Sequence, residues 1–285
     1  MKTIFLFTTI LILLSACRHS PIKSTEITGV SNFYSKTIND TFSIFVSVPA
    51  GYDESVKNKY PVVYLLDANL YFDIIATTIK KYTEVGLLSP VILVGIGYKN
   101  LETMDSLRAR DYTYPIAIPA YEMGISGEAD KFFSFIKNEL IPNIDTGYSI
   151  DTTNRILMGH SLGGYFTLYA LQQSLAGKYS IFSSYIAASP STHYNHNYLL
   201  TQFGKVGEET QDKTKLYVTF GGLEDNEEEE EDLTMLKTNQ ILSALSTSLK
   251  SRINYKGDIY SNLGHMDTQF PTFVKGLQWT LNIPE

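Results

Sequence analysis

Gly159-His160-Ser161-Leu162-Gly163 sets a serine between two glycines at G-x-S-x-G spacing. The chemistry that spacing suits is nucleophilic attack by the Ser161 hydroxyl. A sharp strand-to-helix turn exposes Oγ, the glycines leave room for the neighbouring strand and helix, and the N–H of Leu162 faces the developing oxyanion. A serine hydroxyl is a poor nucleophile until a base takes its proton. The chain has five histidines. His19 lies near the N-terminus. His160 is inside the turn, where its side chain points away from the reacting carbonyl. His193 and His196 follow the next strand, before any expected acid. Where this motif forms a strand–turn–helix nucleophile elbow, the acid comes next in the chain and the histidine last. His265, in Asn262-Leu263-Gly264-His265-Met266, follows a late strand and precedes the terminal helix. It is the candidate base.

The acid belongs just past the strand at 216–220. Glu224 is the first candidate there, Asp225 the alternative and Asp232 a distant third. A carboxylate would fix the imidazole tautomer and stabilise the imidazolium. A second oxyanion donor belongs to the loop after an earlier strand, here Asp67-Ala68-Asn69-Leu70, through the N–H of Ala68 or Asn69.

The elements that must position these residues follow from pattern. Apolar runs at 42–48, 60–66, 91–97, 182–188 and 216–220 read as strands, with a further strand at 155–158 leading into the serine turn. Residues 70–85, 128–141, 162–173, about 232–250 and about 270–280 read as helices, the second stopping before Pro142. A last strand falls near 252–258. Strands alternating with helices imply a mostly parallel sheet flanked by helices on both faces. The early strands near 28–48 are expected to pair antiparallel at one edge.

The first 17 residues read as an export signal. Met1-Lys2 give a positive start, and the eleven apolar residues 4–14 are too short to span a bilayer. Leu14-Ser15-Ala16-Cys17 resembles a lipobox, with the chain's single cysteine at the acylation position. Lipid on Cys17 would hold the protein to a bacterial membrane, periplasmic or at the cell surface. Residues 18–30 read as a tether and 31–285 as the catalytic domain. One cysteine excludes an internal disulfide. The net charge of −7, without a basic run, argues against a nucleic-acid partner. The acidic stretch 227–232 reads as a solvated segment. No metal-ligand cluster is visible, so no cofactor is expected.

Several segments together carry a family resemblance. They are Leu65-Leu66-Asp67-Ala68-Asn69, Arg108-Ala109-Arg110-Asp111-Tyr112, residues 132–148 (FFSFIKNELIPNIDTGY), the GHSLGG turn and Gly264-His265. The chain resembles the esterase branch of α/β-hydrolases that includes bacterial siderophore esterases and is related to feruloyl and acetyl-xylan esterases. The resemblance covers about residues 35–280. It implies an α/β-hydrolase fold and a serine carboxylic-ester hydrolase. The substrate would be a siderophore lactone or, alternatively, a feruloyl or acetyl ester on polysaccharide. It also places the R-x-R-D-Y segment near the substrate. There, Arg108 or Arg110 would bind an anionic or catechol-bearing group, unless the cluster is a structural ion-pair lock. Ala68 stands where the family pattern has glycine. Some members work as Ser–His dyads, which leaves the acid open. A non-catalytic ligand-binding lipoprotein on a hydrolase scaffold, and an acyltransferase, are the competing functions.

Overall fold

The computed structural model describes residues 27–53, 59–121, 123–177, 180–207, 213–226 and 236–282. The signal segment, Cys17, most of the tether, Asp232 and the acidic stretch lie outside the described residues.

Eight strands form one sheet: β1 (Ile27–Ser35), β2 (Asp40–Ser47), β3 (Tyr60–Leu65), β4 (Ile92–Gly97), β5 (Ile150–His160), β6 (Ser184–Ala188), β7 (Lys215–Gly221) and β8 (Asn254–Tyr260). Their order across the sheet is β1-β2-β4-β3-β5-β6-β7-β8. β1 pairs antiparallel with β2, and β2 with β4. Every other pairing is parallel. This is the α/β-hydrolase arrangement the sequence led us to expect, with its antiparallel pair at one edge.

The strands are apolar on both sides because both faces are covered. Val63 and Leu65 on β3 face a cluster with Ile75 and Ile79 of α1 (Ala68–Glu84) and Phe273 and Leu277 of α8 (Gln269–Thr280). Val62 and Tyr64, one residue out of phase, face the opposite cluster. That side carries α2 (Leu101–Tyr112), α3 (Ala129–Phe135), α4 (Ile141–Gly147), α5 (Leu162–Leu175), α6 (Tyr194–Phe203) and α7 (Thr238–Leu249). α5 is buried from Gly163 to Leu175. Burying side chains such as Phe166 and Leu168 stabilises the fold by roughly 1.5–3 kcal/mol each.

One helix boundary is corrected. The helix expected to stop before Pro142 instead continues to Gly147 through a π turn at Ile136–Leu140. Ile141 N–H donates to the Ile136 carbonyl, five residues back. The widened turn accommodates a proline that has no N–H to give and whose ring would crowd the preceding turn.

Parallel pairing brings the C-terminal ends of the central strands to one edge. Leu65 lies opposite Met158, and Ala188 lies between His160 and Thr219. The segments that leave these ends carry the candidate site.

Candidate active site

Ser161 follows β5 directly, at φ 58° and ψ −120°. A non-glycine residue there is strained by about 1–3 kcal/mol and must be held by its surroundings. The hold is visible: Ser161 N–H donates to Ala188 O (3.0 Å), and Ser191 N–H donates to Ser161 O (3.1 Å). A Cβ on Gly159 would come 2.4 Å from Gly163 O, so the turn closes only with glycine at 159. Leu162 opens α5, and the first turn of a helix has N–H groups without intrahelical acceptors.

β3 ends beside β5, and Leu66 N–H donates to Met158 O at 3.0 Å. Asp67 then turns left-handed at φ 51° and α1 starts at Ala68. The N–H groups of Ala68 and Asn69 thus open a second helix at the same edge. The Asn69 side chain is engaged on both sides: Nδ2 donates to Tyr98 O (2.8 Å) and Oδ1 accepts from Tyr98 N–H (2.7 Å). That bracing fixes the start of α1. Ala68, where glycine was the family pattern, points its methyl at the bare Cα of Gly95.

His265 opens a single 3₁₀ turn, His265–Asp267, after β8. Its Nδ1 lies 3.1 Å from Glu224 Oε2. A carboxylate only accepts, so Nδ1 carries the proton, and in the neutral ring Nε2 is then the acceptor. Glu224 Oε1 accepts from Ser189 Oγ (2.6 Å) and from the Gly221 N–H. Burial opposes charge on Glu224, but the bonds from His265, Ser189 and Gly221 outweigh it and hold its pKa below the usual carboxylate value. Asp225, the alternative acid, is turned elsewhere. Its Oδ1 accepts from Thr238 N–H (2.8 Å) and its Oδ2 lies 3.2 Å from Thr238 Oγ1, at the start of α7.

His160 is buried at 1% exposure beneath this pair. Its Nε2 is 2.8 Å from His265 O and its Nδ1 is 3.1 Å from Tyr71 Oη. Burial, then the neighbouring His265 charge, pushes its pKa down to about 4. His193 lies off this network, and its pKa is also lowered by burial. His196 belongs to a left-handed turn, Asn195 to Asn197, inside α6.

The two arginines are engaged with carboxylates. Arg108 Nε and one Nη donate to Asp67 Oδ1 (3.1 Å) and Oδ2 (2.8 Å). Arg110 forks onto Asp111 at 2.8 and 3.1 Å and reaches Asp40 at 3.0 Å. Both thus make the contacts that an ion-pair lock requires. Arg108 still borders the site, because the Nη also lies 3.4 Å from His160 O.

Sequence reasoning missed Ser191, whose Oγ lies 3.3 Å from Ser161 Oγ, and Ser189, which supports Glu224. The signal was their place directly after the strand that follows the serine turn. Among the described residues, no group of three His, Cys, Asp or Glu side chains is placed to hold a metal, and no helix is long and apolar enough to cross a membrane.

Comparison with known proteins agrees with this geometry. The family described as “Putative esterase” matches residues 35–270. The ferri-bacillibactin esterase BesA of Bacillus subtilis is 37% identical over 190 residues, covering 63% of this chain and 62% of that protein. The apo-salmochelin esterase of Escherichia coli O6:H1 is 28% identical, covering 72% and 64% respectively. The matched stretch is therefore less than two thirds of either curated relative. Among solved structures, the BES protein from Bacillus cereus aligns over 98% of this chain and 99% of its own, with TM-score 0.71 and 24% identity. An IroE-like serine hydrolase from Shewanella oneidensis aligns over 89% and 80%, with TM-score 0.74 and 21% identity. At such identities the structural likeness speaks to the fold.

Proposed function

This chain belongs to the family described as “Putative esterase”, and we propose that within it the protein is a serine carboxylic-ester hydrolase acting on the ester bonds of siderophores. The observation that carries the reading is the Glu224–His265 pair at 3.1 Å, at the same sheet edge as a serine held at φ 58°. The substrate class is supported by the names of the relatives, which act on ferri-bacillibactin and apo-salmochelin.

In the proposed reaction His265 Nε2 takes the Ser161 proton as Oγ attacks the ester carbonyl. Glu224 keeps the other imidazole nitrogen protonated and balances the imidazolium. The oxyanion is received at two helix N-termini, by the N–H of Leu162 and that of Ala68 or Asn69. There, fixed donors and the positive helix ends favour negative charge. His265 then gives its proton to the leaving alcohol. Water, activated by the same histidine, releases the acid from Ser161.

Hydrolysis of a catechol trilactone, iron-loaded and iron-free, by the purified protein tests the reading, with methyl ferulate as the competing substrate. A fluorophosphonate probe should label Ser161 covalently. Lack of labelling, together with no turnover of either ester or of short p-nitrophenyl esters, would refute it.

Export and lipid attachment at Cys17 belong to the same proposal. The lipobox-like Leu14-Ser15-Ala16-Cys17 supports them. Mass spectrometry of the protein expressed with residues 1–17 intact should find a diacyl-type modification on Cys17 that Cys17→Ala abolishes.

A further inference from the structure

We infer that His160 and Tyr71 form a buried hydrogen-bonded relay that positions the His265 backbone, making both of them positioning residues for the base. The inference rests on the esterase reading above.

The relay starts from what Glu224 alone can fix. The bond at Nδ1 sets the tautomer of His265, but it does not act on the main chain. The chain at this point is a single 3₁₀ turn between β8 and α8. Its carbonyl needs a partner. Thr268 Oγ1 is 3.3 Å away, but its proton is committed elsewhere. Ser189 Oγ has one proton, which goes to Glu224 at 2.6 Å, so Thr268 must be the donor in the 2.6 Å Ser189–Thr268 pair. The side-chain donor to the His265 carbonyl is therefore His160 Nε2, at 2.8 Å.

A carbonyl accepts only, so Nε2 of His160 carries the proton and Nδ1 must accept. Tyr71 Oη, 3.1 Å away, donates to it and selects that tautomer. Tyr71 is in turn wedged edge-on against His160, Phe270 and Phe273, with centroids 5.9–6.1 Å apart. The depressed pKa of His160 keeps it neutral at neutral pH, as a ring with one donor and one acceptor requires.

The placement of the two residues gives the relay its reach. His160 immediately precedes Ser161. Tyr71 follows Asn69 by two positions on α1. The start of α1, the serine turn and the base loop thus hang on one chain of hydrogen bonds. A displacement of about 1 Å among reacting groups costs on the order of 100-fold in rate.

The test uses the full chain and an ester that it turns over. His160→Phe keeps the aromatic volume and removes both polar functions. We expect kcat to fall about 10- to 100-fold with KM changed less than about twofold. His160→Gln offers an amide N–H to the carbonyl and an amide oxygen to Tyr71, and should recover most of that loss. Tyr71→Phe frees the tautomer and should fall in between. It also decides the matter if His160→Phe does not fold, since it deletes only one oxygen. Wild-type kcat in His160→Phe, or in Tyr71→Phe where the former cannot be purified, would overturn the relay. Equal losses in the Phe and Gln variants would overturn it too, since packing alone would explain them. If wild-type protein hydrolyses no ester, the functional reading fails instead. The relay is then read from the imidazole nitrogen NMR shifts of His160, where an Nδ1–H tautomer would overturn it and an Nε2–H tautomer sustain it.

Discussion

Glu224 Oε2 meets His265 Nδ1 at 3.1 Å, although 41 residues separate them. Asp225, the next residue, instead bonds the start of α7. Neighbouring carboxylates therefore have separable roles. Glu224→Gln loses the charge that orients and balances the imidazole, and should lower kcat by about 100-fold or more. Asp225→Asn should leave kcat within about twofold and stability near that of wild type, because an asparagine oxygen still accepts from Thr238 N–H as a cap does. Steady-state kinetics and thermal melts on both variants check this. A kcat loss in Asp225→Asn matching that of Glu224→Gln would refute the assignment.

Ser191 is expected to tune the nucleophile. Its hydroxyl lies 3.3 Å from Ser161 Oγ, a long contact that shortens if Oγ gains charge. An ordinary hydrogen bond contributes about 0.5–1.5 kcal/mol, so Ser191→Ala should slow fluorophosphonate labelling of Ser161 by about 3- to 10-fold. The melting temperature should stay near that of wild type. An unchanged labelling rate would remove Ser191 from the chemistry.

The serine turn tolerates no methyl at 159. A Cβ there would stand 2.4 Å from Gly163 O and 2.5 Å from its carbonyl carbon, both backbone atoms that cannot swing aside. Gly159→Ala should therefore destabilise the protein by about 1–3 kcal/mol or more and displace Ser161. Denaturant titration and probe labelling would show both losses together. A stable variant labelled at the wild-type rate would contradict the geometry.

How far the site was legible from sequence depended on how local its determinants are. Ser161 and His265 were legible because the turn is written in five consecutive residues and the histidine's place follows from chain order. The two-faced sheet was legible because apolar runs with helices between them fit few other architectures. α2 was not. In LETMDSLRARDY the inward groups include Asp111, fully buried on Arg110, so a periodicity search sees a polar segment where the fold has a packed helix. α6 was hidden too, because Asn195, His196 and Asn197 adopt left-handed φ of 48–60° that local preference does not foretell. Asn195 is held there by its side chain, which bonds the backbone at Ile116 and Ile118. Tyr71 looked like any core aromatic, since only the fold brings it to His160. The choice between Glu224 and Asp225 likewise needed the position of α7.

His160 also makes stability depend on acidity. Its folded pKa of about 4 lies below the ordinary 6.5, through burial first and then the charges of His265 and Arg108, with Glu224 acting in the opposite sense. As pH falls below 6.5 the unfolded chain takes up this proton first, so folding is penalised progressively down to about pH 4. Integrated over that window the penalty is roughly 3 kcal/mol. Glutamine does not titrate here. The melting temperature of His160→Gln should therefore fall less steeply than wild type between pH 6.5 and 4, a comparison in which the contribution of His193 cancels. Parallel curves would show that His160 does not titrate as its burial requires.

Arg108 is expected to act on stability before it acts on substrate. Its partner Asp67 is 1% exposed and accepts two of its N–H groups. Removing one member of a buried pair leaves the other charge without compensation, at about 3–5 kcal/mol. Arg108→Ala should thus lower the melting temperature by roughly 10 °C, at about 2–4 °C per kcal/mol for a chain of this size. Asp67→Asn in the same background removes the stranded charge and should restore part of that loss, a coupling that independent sites would not show. The rival assignment, a fork for an anionic substrate, makes the opposite forecast. KM would rise sharply in Arg108→Ala while the melt stayed put, and Asp67→Asn would rescue nothing. Melts and KM on the two single variants and the double variant separate the alternatives.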